Sequence, residues 1–153
     1  MQPCYWSIDK LPGLSKQERE LLSKNGIETT KELLINTRTP SAKNLLANKL
    51  QLHIKHINKW VALADLARIP SVGYQYCGLL LHSGIASVTQ LAQTPLQRLH
   101  PTIKRLYVAT MQRKDLAPSV PQVKKWIEEA RLLIIVGTFH ETSLQLLIIN
   151  YQL

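Results

Sequence analysis

The chain has 153 residues, 45% of them hydrophobic, which is enough for one larger folded domain or two small ones. Nineteen lysines and arginines against ten aspartates and glutamates give a net charge of +9, which favours anionic partners: nucleic acid, an anionic membrane surface or an acidic protein. The two cysteines form no CxxC pair, which argues against a disulfide scaffold and a cysteine zinc site. The chain has no uncharged apolar run of about 18 residues, which argues against a membrane span, and its N-terminus does not resemble a signal peptide. A cytoplasmic location is therefore expected.

Capping residues, prolines and glycines divide the chain into eight predicted helices. Capping boxes, in which Glu or Gln follows Ser or Thr by three positions, predict helix starts at Ser15, Thr29 and Ser87. Thr-Pro pairs at residues 39–40 and 94–95 predict two further starts with Pro at the first helical position, and Gly26 and Gly84 predict helix ends. The seventh helix either breaks at Pro101 or passes through it. The predicted helices lie near residues 16–25, 30–36, 41–50, 52–67, 74–83, 88–93, 95–113 and 121–134.

Two parts of the chain resemble each other. Residues 11–15 read Leu-Pro-Gly-Leu-Ser and residues 69–73 read Ile-Pro-Ser-Val-Gly, and each Pro is followed 14 positions later by a Gly. These matches are offset by 58 positions, whereas Trp60 and Trp126 are 66 apart, so the second copy carries about eight extra residues, with a loop near Pro118. The ordered series predicts an internal repeat. Both tryptophans stand among apolar residues at helical spacing and are interpreted as core anchors, with base stacking as the alternative.

These signals predict an all-α fold of two tandem units packed together, residues 1–66 and residues 67–132, followed by an apolar tail at residues 133–153. Within the tail, residues 137–143 have the composition of a turn, which predicts a hairpin of two apolar segments. Three roles for the tail stay open: it covers the helical core, it forms a dimer contact by self-association, or it meets a partner.

The segments around the two prolines resemble the helix-hairpin-helix motif, whose hairpin reads hydrophobic-Pro-Gly-hydrophobic-Gly. Residues 69–73, placed between two predicted helices and followed by Gly84, are one version, and residues 11–15 are a second. The duplicated arrangement closes on Val-Lys-Lys-Trp-Ile-Glu-Glu-Ala-Arg at residues 123–131, and over roughly residues 7–132 it is similar to an uncharacterised, chiefly bacterial family of tandem helix-hairpin-helix domains. The resemblance implies that hairpin amides and the positive helix end hold a backbone phosphate without reading bases.

Position by position, the resemblance implies phosphate contacts from four residues of each hairpin. They are Gly13, Leu14, Ser15 and Lys16 in the first hairpin, and Ser71, Val72, Gly73 and Tyr74 in the second. Both hairpins depart from the usual pattern. Ser15 stands where the second Gly is expected, and Glu18 can cap the helix with a carboxylate that repels phosphate. Ser71 replaces the first Gly of the second hairpin, and Tyr74-Gln75 follow where a basic residue is often found. The alternative is that the hairpins simply turn the chain.

Basic side chains of the second unit are the other candidate contacts. A single surface is predicted from Lys104, Arg105, Arg113 and Lys114. It could be extended by Lys124, Lys125 and Arg131. The alternative is an ordinary solvated helix face.

The sequence contains no motif that indicates catalysis, a metal or a cofactor. His53 and His56 share a predicted helical face, but two ligands cannot close a structural zinc site. Glu128 and Glu129 are adjacent on a helix and point apart, and Cys77 is expected to be a small core residue. The leading interpretation is therefore non-catalytic, sequence-independent nucleic-acid binding, with DNA favoured over RNA. The alternative is a protein–protein interaction adaptor that uses the helical repeats as a scaffold and binds through the apolar tail or a helix groove.

Overall fold

A computed structural model describes the backbone of residues 1–112 and 116–151 and the side chains of residues 1–112 and 116–136. These described residues form eight α-helices and no strand, which confirms the predicted all-α fold. The helices are α1 (Lys16–Lys24), α2 (Thr30–Ile35), α3 (Pro40–Leu50), α4 (Ile54–Ala67), α5 (Gly73–His82), α6 (Val88–Gln93), α7 (Leu96–Met111) and α8 (Val120–Tyr151). A single 3-10 turn, Ile8–Lys10, precedes them.

The predicted capping side chains begin four of the helices. Ser15 and Thr29 each accept a hydrogen bond from the backbone amide three residues ahead, and the glutamate at that position accepts one from the capping residue's own amide. Ser87 also accepts from the amide three residues ahead, but the side chain of Gln90 accepts from the amide of Ala86 instead. Thr39 caps α3, where Pro occupies the first helical position as expected. Local sequence chemistry therefore places these helix starts correctly.

The two copies end their first long helix in the same way. Gly26 and Gly84 have φ angles of +79° and +93°, a conformation that costs glycine little. The amide of Ile27 donates 3.0 Å to the carbonyl of Leu22, and each of these groups has its counterpart in the second copy. This pattern is the Schellman motif, in which a buried apolar residue after the Gly packs back on the helix. The two helices therefore end with the same hydrogen-bonding pattern.

The prediction that Pro95 is the first helical residue of α7 is wrong. Pro95 is extended, with ψ 139°, and its carbonyl accepts the first helical hydrogen bonds from Arg98 and Leu99. Thr94 belongs to the end of α6, because its hydroxyl donates to the carbonyl of Gln90 at 2.7 Å.

The start of α7 differs from the start of α3 because only Thr94 and Pro95 separate α6 from α7. Of the two alternatives at Pro101, α7 passes through it. The buried side chains of Leu99 and Ile103 on either side hold the helix on the core, which offsets the lost hydrogen bond. The extra residues of the second copy are divided between α7, which has 16 residues against 11 in α3, and the longer connection that follows it.

One continuous apolar core runs through both halves. Trp60 on α4 and Trp126 on α8 are almost completely buried, which confirms them as core anchors rather than stacking platforms. The indole nitrogen of Trp126 donates to the carbonyl of Ser71 at 3.1 Å. Buried indoles of this kind tie a helix to a neighbouring turn as well as filling volume.

The N-terminal strap, residues 4–12, crosses from the first half onto the second. The amide of Cys4 donates to the carbonyl of Arg68 at 2.8 Å, and the indole nitrogen of Trp6 donates to the carbonyl of Ala67 at 2.8 Å. The amide of Thr30 also donates to the carbonyl of Trp6 at 2.8 Å. The strap therefore links α2, the end of α4 and the second hairpin into one packed body.

The predicted turn at residues 137–143 is wrong, since α8 is continuous from Val120 to Tyr151. A glycine inside a helix costs only about 1 kcal/mol relative to alanine, so Gly137 need not end it. Leu133 is buried, whereas Ile135 is 63% exposed. The side chains beyond residue 136 lie outside the described part, so the three roles of the tail stay predictions. No helix within the described residues meets the length and apolarity needed to cross a membrane.

Candidate nucleic-acid interface

The first hairpin lies at the surface and is anchored from below. Leu11 and Leu14 are buried, whereas Gly13, Ser15 and Lys16 between and after them are exposed. Gly13 has a φ angle of +79°, so the backbone turns there in a conformation that side chains disfavour. The alternation of anchored leucines with exposed small residues presents the backbone of the hairpin to solvent.

The capping box uses two of the amides at this hairpin. The amide of Ser15 donates to Oε1 of Glu18 at 2.9 Å, and the amide of Glu18 donates to the hydroxyl of Ser15 at 3.1 Å. The amides of Lys16 and Gln17 fall in the first turn of α1, where a helix supplies no acceptor of its own. They stand at the positive end of the helix, next to the carboxylate of Glu18.

A lysine from another helix stands over the hairpin. A Cβ atom built on Gly13 would lie 3.2 Å from Nζ of Lys59 and 3.5 Å from its Cε. Lys59 is on α4, adjacent to the anchor Trp60, so the helix that fixes the core also carries this ammonium group to the hairpin. Sequence reasoning missed this residue. The signal that could have found it is the repeated Lys-Trp pair, in which Lys125 is the counterpart of Lys59.

The second hairpin is occupied by a carboxylate. Glu129 of α8 is only 4% exposed, and its Oε1 accepts from the amide of Ser71 at 2.9 Å while its Oε2 accepts from the hydroxyl of Ser71 at 2.5 Å. The amides of Val72 and Gly73 both donate to the carbonyl of Ile69, at 3.0 and 2.9 Å. Three donors predicted to meet phosphate are thus already bonded within the protein, and the buried negative charge opposes a second anion.

The N-terminal strap also covers the second hairpin. Gly73 has a φ angle of +54°, and a Cβ atom there would lie 3.3 Å from Cζ2 of Trp6. The ring of Tyr74 meets the same indole edge-on, with centroids 4.9 Å apart, and Nζ of Lys10 lies 5.6 Å from the Tyr74 ring centroid. The counterpart positions of the two hairpins therefore have opposite surroundings: one is open beneath a lysine, the other closed by a glutamate and a tryptophan.

The predicted basic surface is only partly described. Lys104 and Arg105 are exposed on α7, whereas Arg113 and Lys114 lie outside the described residues. Among the described side chains, neither Lys104 nor Arg105 forms an ion pair or hydrogen bond with a hairpin residue. The possible extension has other contacts. Nζ of Lys124 lies 3.9 Å from Glu128, and Nε of Arg131 donates to the carbonyl of Ala92 at 3.1 Å.

The remaining polar residues have structural roles. His53 caps α4, its Nδ1 accepting from the amide of Lys55 at 3.0 Å, and His56 packs against Trp60. Glu128 is exposed and Glu129 is buried, so the adjacent carboxylates do point apart. Cys77 is a core residue as predicted, and burial raises the pKa of its thiol to about 11. No cluster of three or more potential metal ligands occurs among the described residues.

Comparison with known proteins connects the chain to a family. The family model described as "Domain of unknown function (DUF4332)" matches residues 12–133, which include Gly13, the second hairpin, Lys59 and Glu129. No curated protein and no solved structure matches the chain.

Proposed function

The chain belongs to the DUF4332 family, whose description assigns no activity, and we propose that it binds the backbone of nucleic acid without reading sequence and without catalysing a reaction. In this proposal the two copies are helix-hairpin-helix units, and the first hairpin makes the phosphate contact. DNA is the favoured partner over RNA, on the resemblance of the hairpins alone.

The proposal rests on the ammonium group of Lys59 above the exposed Gly13. A phosphate placed there would meet a cation on one side and the amides at the start of α1 on the other. Lys16, the first residue of α1, adds a second positive charge. Glu18 opposes the phosphate, so modest affinity and a strong dependence on salt are expected.

The second hairpin has a different role in this proposal. In the second hairpin, Ser71 is the counterpart of Gly13. The amide and hydroxyl of Ser71 donate to the carboxylate of Glu129 rather than to solvent. A buried, doubly hydrogen-bonded carboxylate holds the hairpin against α8 as a structural joint. We therefore assign the phosphate contact to Gly13, Leu14 and Lys16 with Lys59, and we assign none to residues 71–74.

Lys59→Ala tests the proposal, with Lys125→Ala as a matched control. Lys125 is the repeat counterpart of Lys59 and is exposed, but it does not lie over an open hairpin. Fluorescence anisotropy with duplex DNA, single-stranded DNA and RNA would be measured across a salt series. Loss of one phosphate contact should weaken binding by about 1 kcal/mol, roughly fivefold, and lower the slope of log K against log salt by about 0.9.

The control distinguishes a specific phosphate contact at Lys59 from a general effect of removing one positive charge. We expect Lys125→Ala to change affinity by less than about twofold. Equal losses from both variants, or a salt slope unchanged by Lys59→Ala, would remove the first hairpin from the interface.

A further inference from the structure

A groove with a largely apolar lining lies between α5 and α7. It has a volume of about 810 Å³, and Leu79, Leu106 and Met111 line it together with Tyr76 and Tyr107. A smaller cleft of about 300 Å³ shares His82 and Leu106 with it and reaches Arg105. Together they form a continuous surface with an apolar middle and a basic end, which we call the α5–α7 groove. Met111 is 56% exposed at the rim of the groove.

The dimensions of the α5–α7 groove suit a short helix. On α7 it extends from Thr102 to Met111, about 14 Å at the rise of an α-helix. An occupying helix of about nine or ten residues spans this distance and presents side chains at i, i+4 and i+7 to one face. A hydrophobic groove is a recurring receptor for such a face.

The charge around the groove selects the chemistry of the partner. No Asp or Glu occurs from residue 66 to residue 114, although this stretch contains six lysines and arginines. Both helices that form the groove lie within it, and His82 and Arg105 stand at one end. Arg68 is paired with Asp65, but Arg105 lines the α5–α7 groove and Lys104 beside it on α7 is exposed, so the apolar surface has positive charge at one end. An occupant with carboxylates beside its apolar face complements it.

Two other occupants fit less well. A second copy of this chain also has a net charge of +9, so docking it on a positive groove is opposed by repulsion. Nucleobases stack on free aromatic faces, and of the two aromatic residues that line the groove, Tyr76 is already packed on Trp126, with ring centroids 5.0 Å apart, which leaves Tyr107. The aliphatic middle of the groove favours leucine-like side chains over bases.

We propose that the α5–α7 groove binds an amphipathic helix of an acidic partner protein. Apolar side chains of that helix fill the space between Leu79, Leu106 and Met111, and a carboxylate at one end pairs with Arg105 beside His82. This inference stands on a different surface from the first hairpin, and it gives the adaptor function considered from the sequence a specific location. The two binding activities are independent of each other and can fail separately.

The test uses the full chain and a fluorescein-labelled helical peptide of about 16 residues, composed of Glu, Ala and Leu, with leucines at i, i+4 and i+7. A control peptide has the same composition with the leucines spread around the helix. Met111→Glu places a charge in the groove at an exposed position that the fold tolerates. Arg105→Ala removes the basic end, and Lys104→Ala is its matched control, because Lys104 is exposed on α7 but does not line the groove.

We expect the facial peptide to bind at least about fivefold more tightly than the control peptide. Met111→Glu should weaken it by about tenfold or more, and Arg105→Ala by about threefold with a shallower salt dependence. Lys104→Ala and Lys59→Ala should leave it unchanged. Circular dichroism of each variant checks that the helices persist.

Four results would overturn the proposal. Equal binding of both peptides would mean that binding does not depend on leucines aligned on one face of the helix. Equal losses from Arg105→Ala and Lys104→Ala would reduce the effect to net charge. Displacement of the peptide by a short single-stranded oligonucleotide, undiminished by Lys59→Ala, would assign the groove to nucleic acid, and a dimer dissociated by Met111→Glu would assign it to a second copy.

Discussion

Replacement of Glu129 by alanine should be among the most destabilising changes to a polar residue. The carboxylate is 4% exposed and accepts two hydrogen bonds from Ser71, at 2.9 and 2.5 Å. A hydrogen bond to a charged group contributes about 1.5–3 kcal/mol, but Ser71 is only partly buried and water can reach its freed amide and hydroxyl in the variant. We therefore expect a loss of about 2–3 kcal/mol in the free energy of unfolding, well below the sum of two full bonds.

The neighbouring residue provides the control. Glu128→Ala removes an exposed carboxylate whose one ion pair, with Lys124, spans 3.9 Å, so its cost should stay below about 0.5 kcal/mol. Urea unfolding followed by circular dichroism measures both variants, and a double-mutant cycle with Ser71→Ala isolates the coupling. If Glu129→Ala costs no more than Glu128→Ala, or if the cycle shows no coupling, the buried carboxylate does not hold the second hairpin.

Three further predictions concern backbone conformation and burial. Gly73→Ala should lower the free energy of unfolding in urea by about 2–3 kcal/mol, because φ is +54° and the new Cβ would lie 3.3 Å from an indole carbon. Gly26→Ala is the control and should cost about 1 kcal/mol, because the space around Gly26 is open. Equal costs for the two variants would contradict the close approach of the indole to Gly73. Gln51→Gly should raise the thermal midpoint through a gain of about 0.5–1 kcal/mol, since Gln51 has a φ angle of 56°, and an unchanged or lower midpoint would count against this. At about pH 8 a thiol reagent should modify the half-buried Cys4 quickly and Cys77 only after unfolding, because burial raises the pKa of Cys77 to about 11; rapid modification of both thiols would be inconsistent with that burial.

Much of the fold was predictable because its signals are local. A capping residue such as Ser15 and its Glu18 lie within one helical turn, so their pairing can be read from spacing alone. Gly26 ends its helix through bonds to residues only a few positions away. Trp60 and Trp126 could be placed in the core because helical periodicity shows which face of a helix is apolar. The wrong predictions, at Pro95 and at residues 137–143, concern whether a helix continues, which depends on packing as well as on composition.

The chemistry of the two hairpins could not be read in the same way. Their near-identical spacing predicts the same turn twice, but the positive φ angle falls on Gly13 in the first hairpin and on Gly73, the counterpart of Ser15, in the second. Whether each turn is open depends on residues far along the chain. Glu129 is 58 positions from Ser71, and Lys59 reaches Gly13 from another helix.

Periodicity indicates which side of a helix is buried, but it does not indicate which other segment that side will meet. The amino-acid sequence of this protein therefore specifies its helices, its repeat and its core. The packing of α4, α8 and the N-terminal strap places a lysine over one hairpin and a carboxylate in the other, because only tertiary contacts bring such distant charges within a few ångströms.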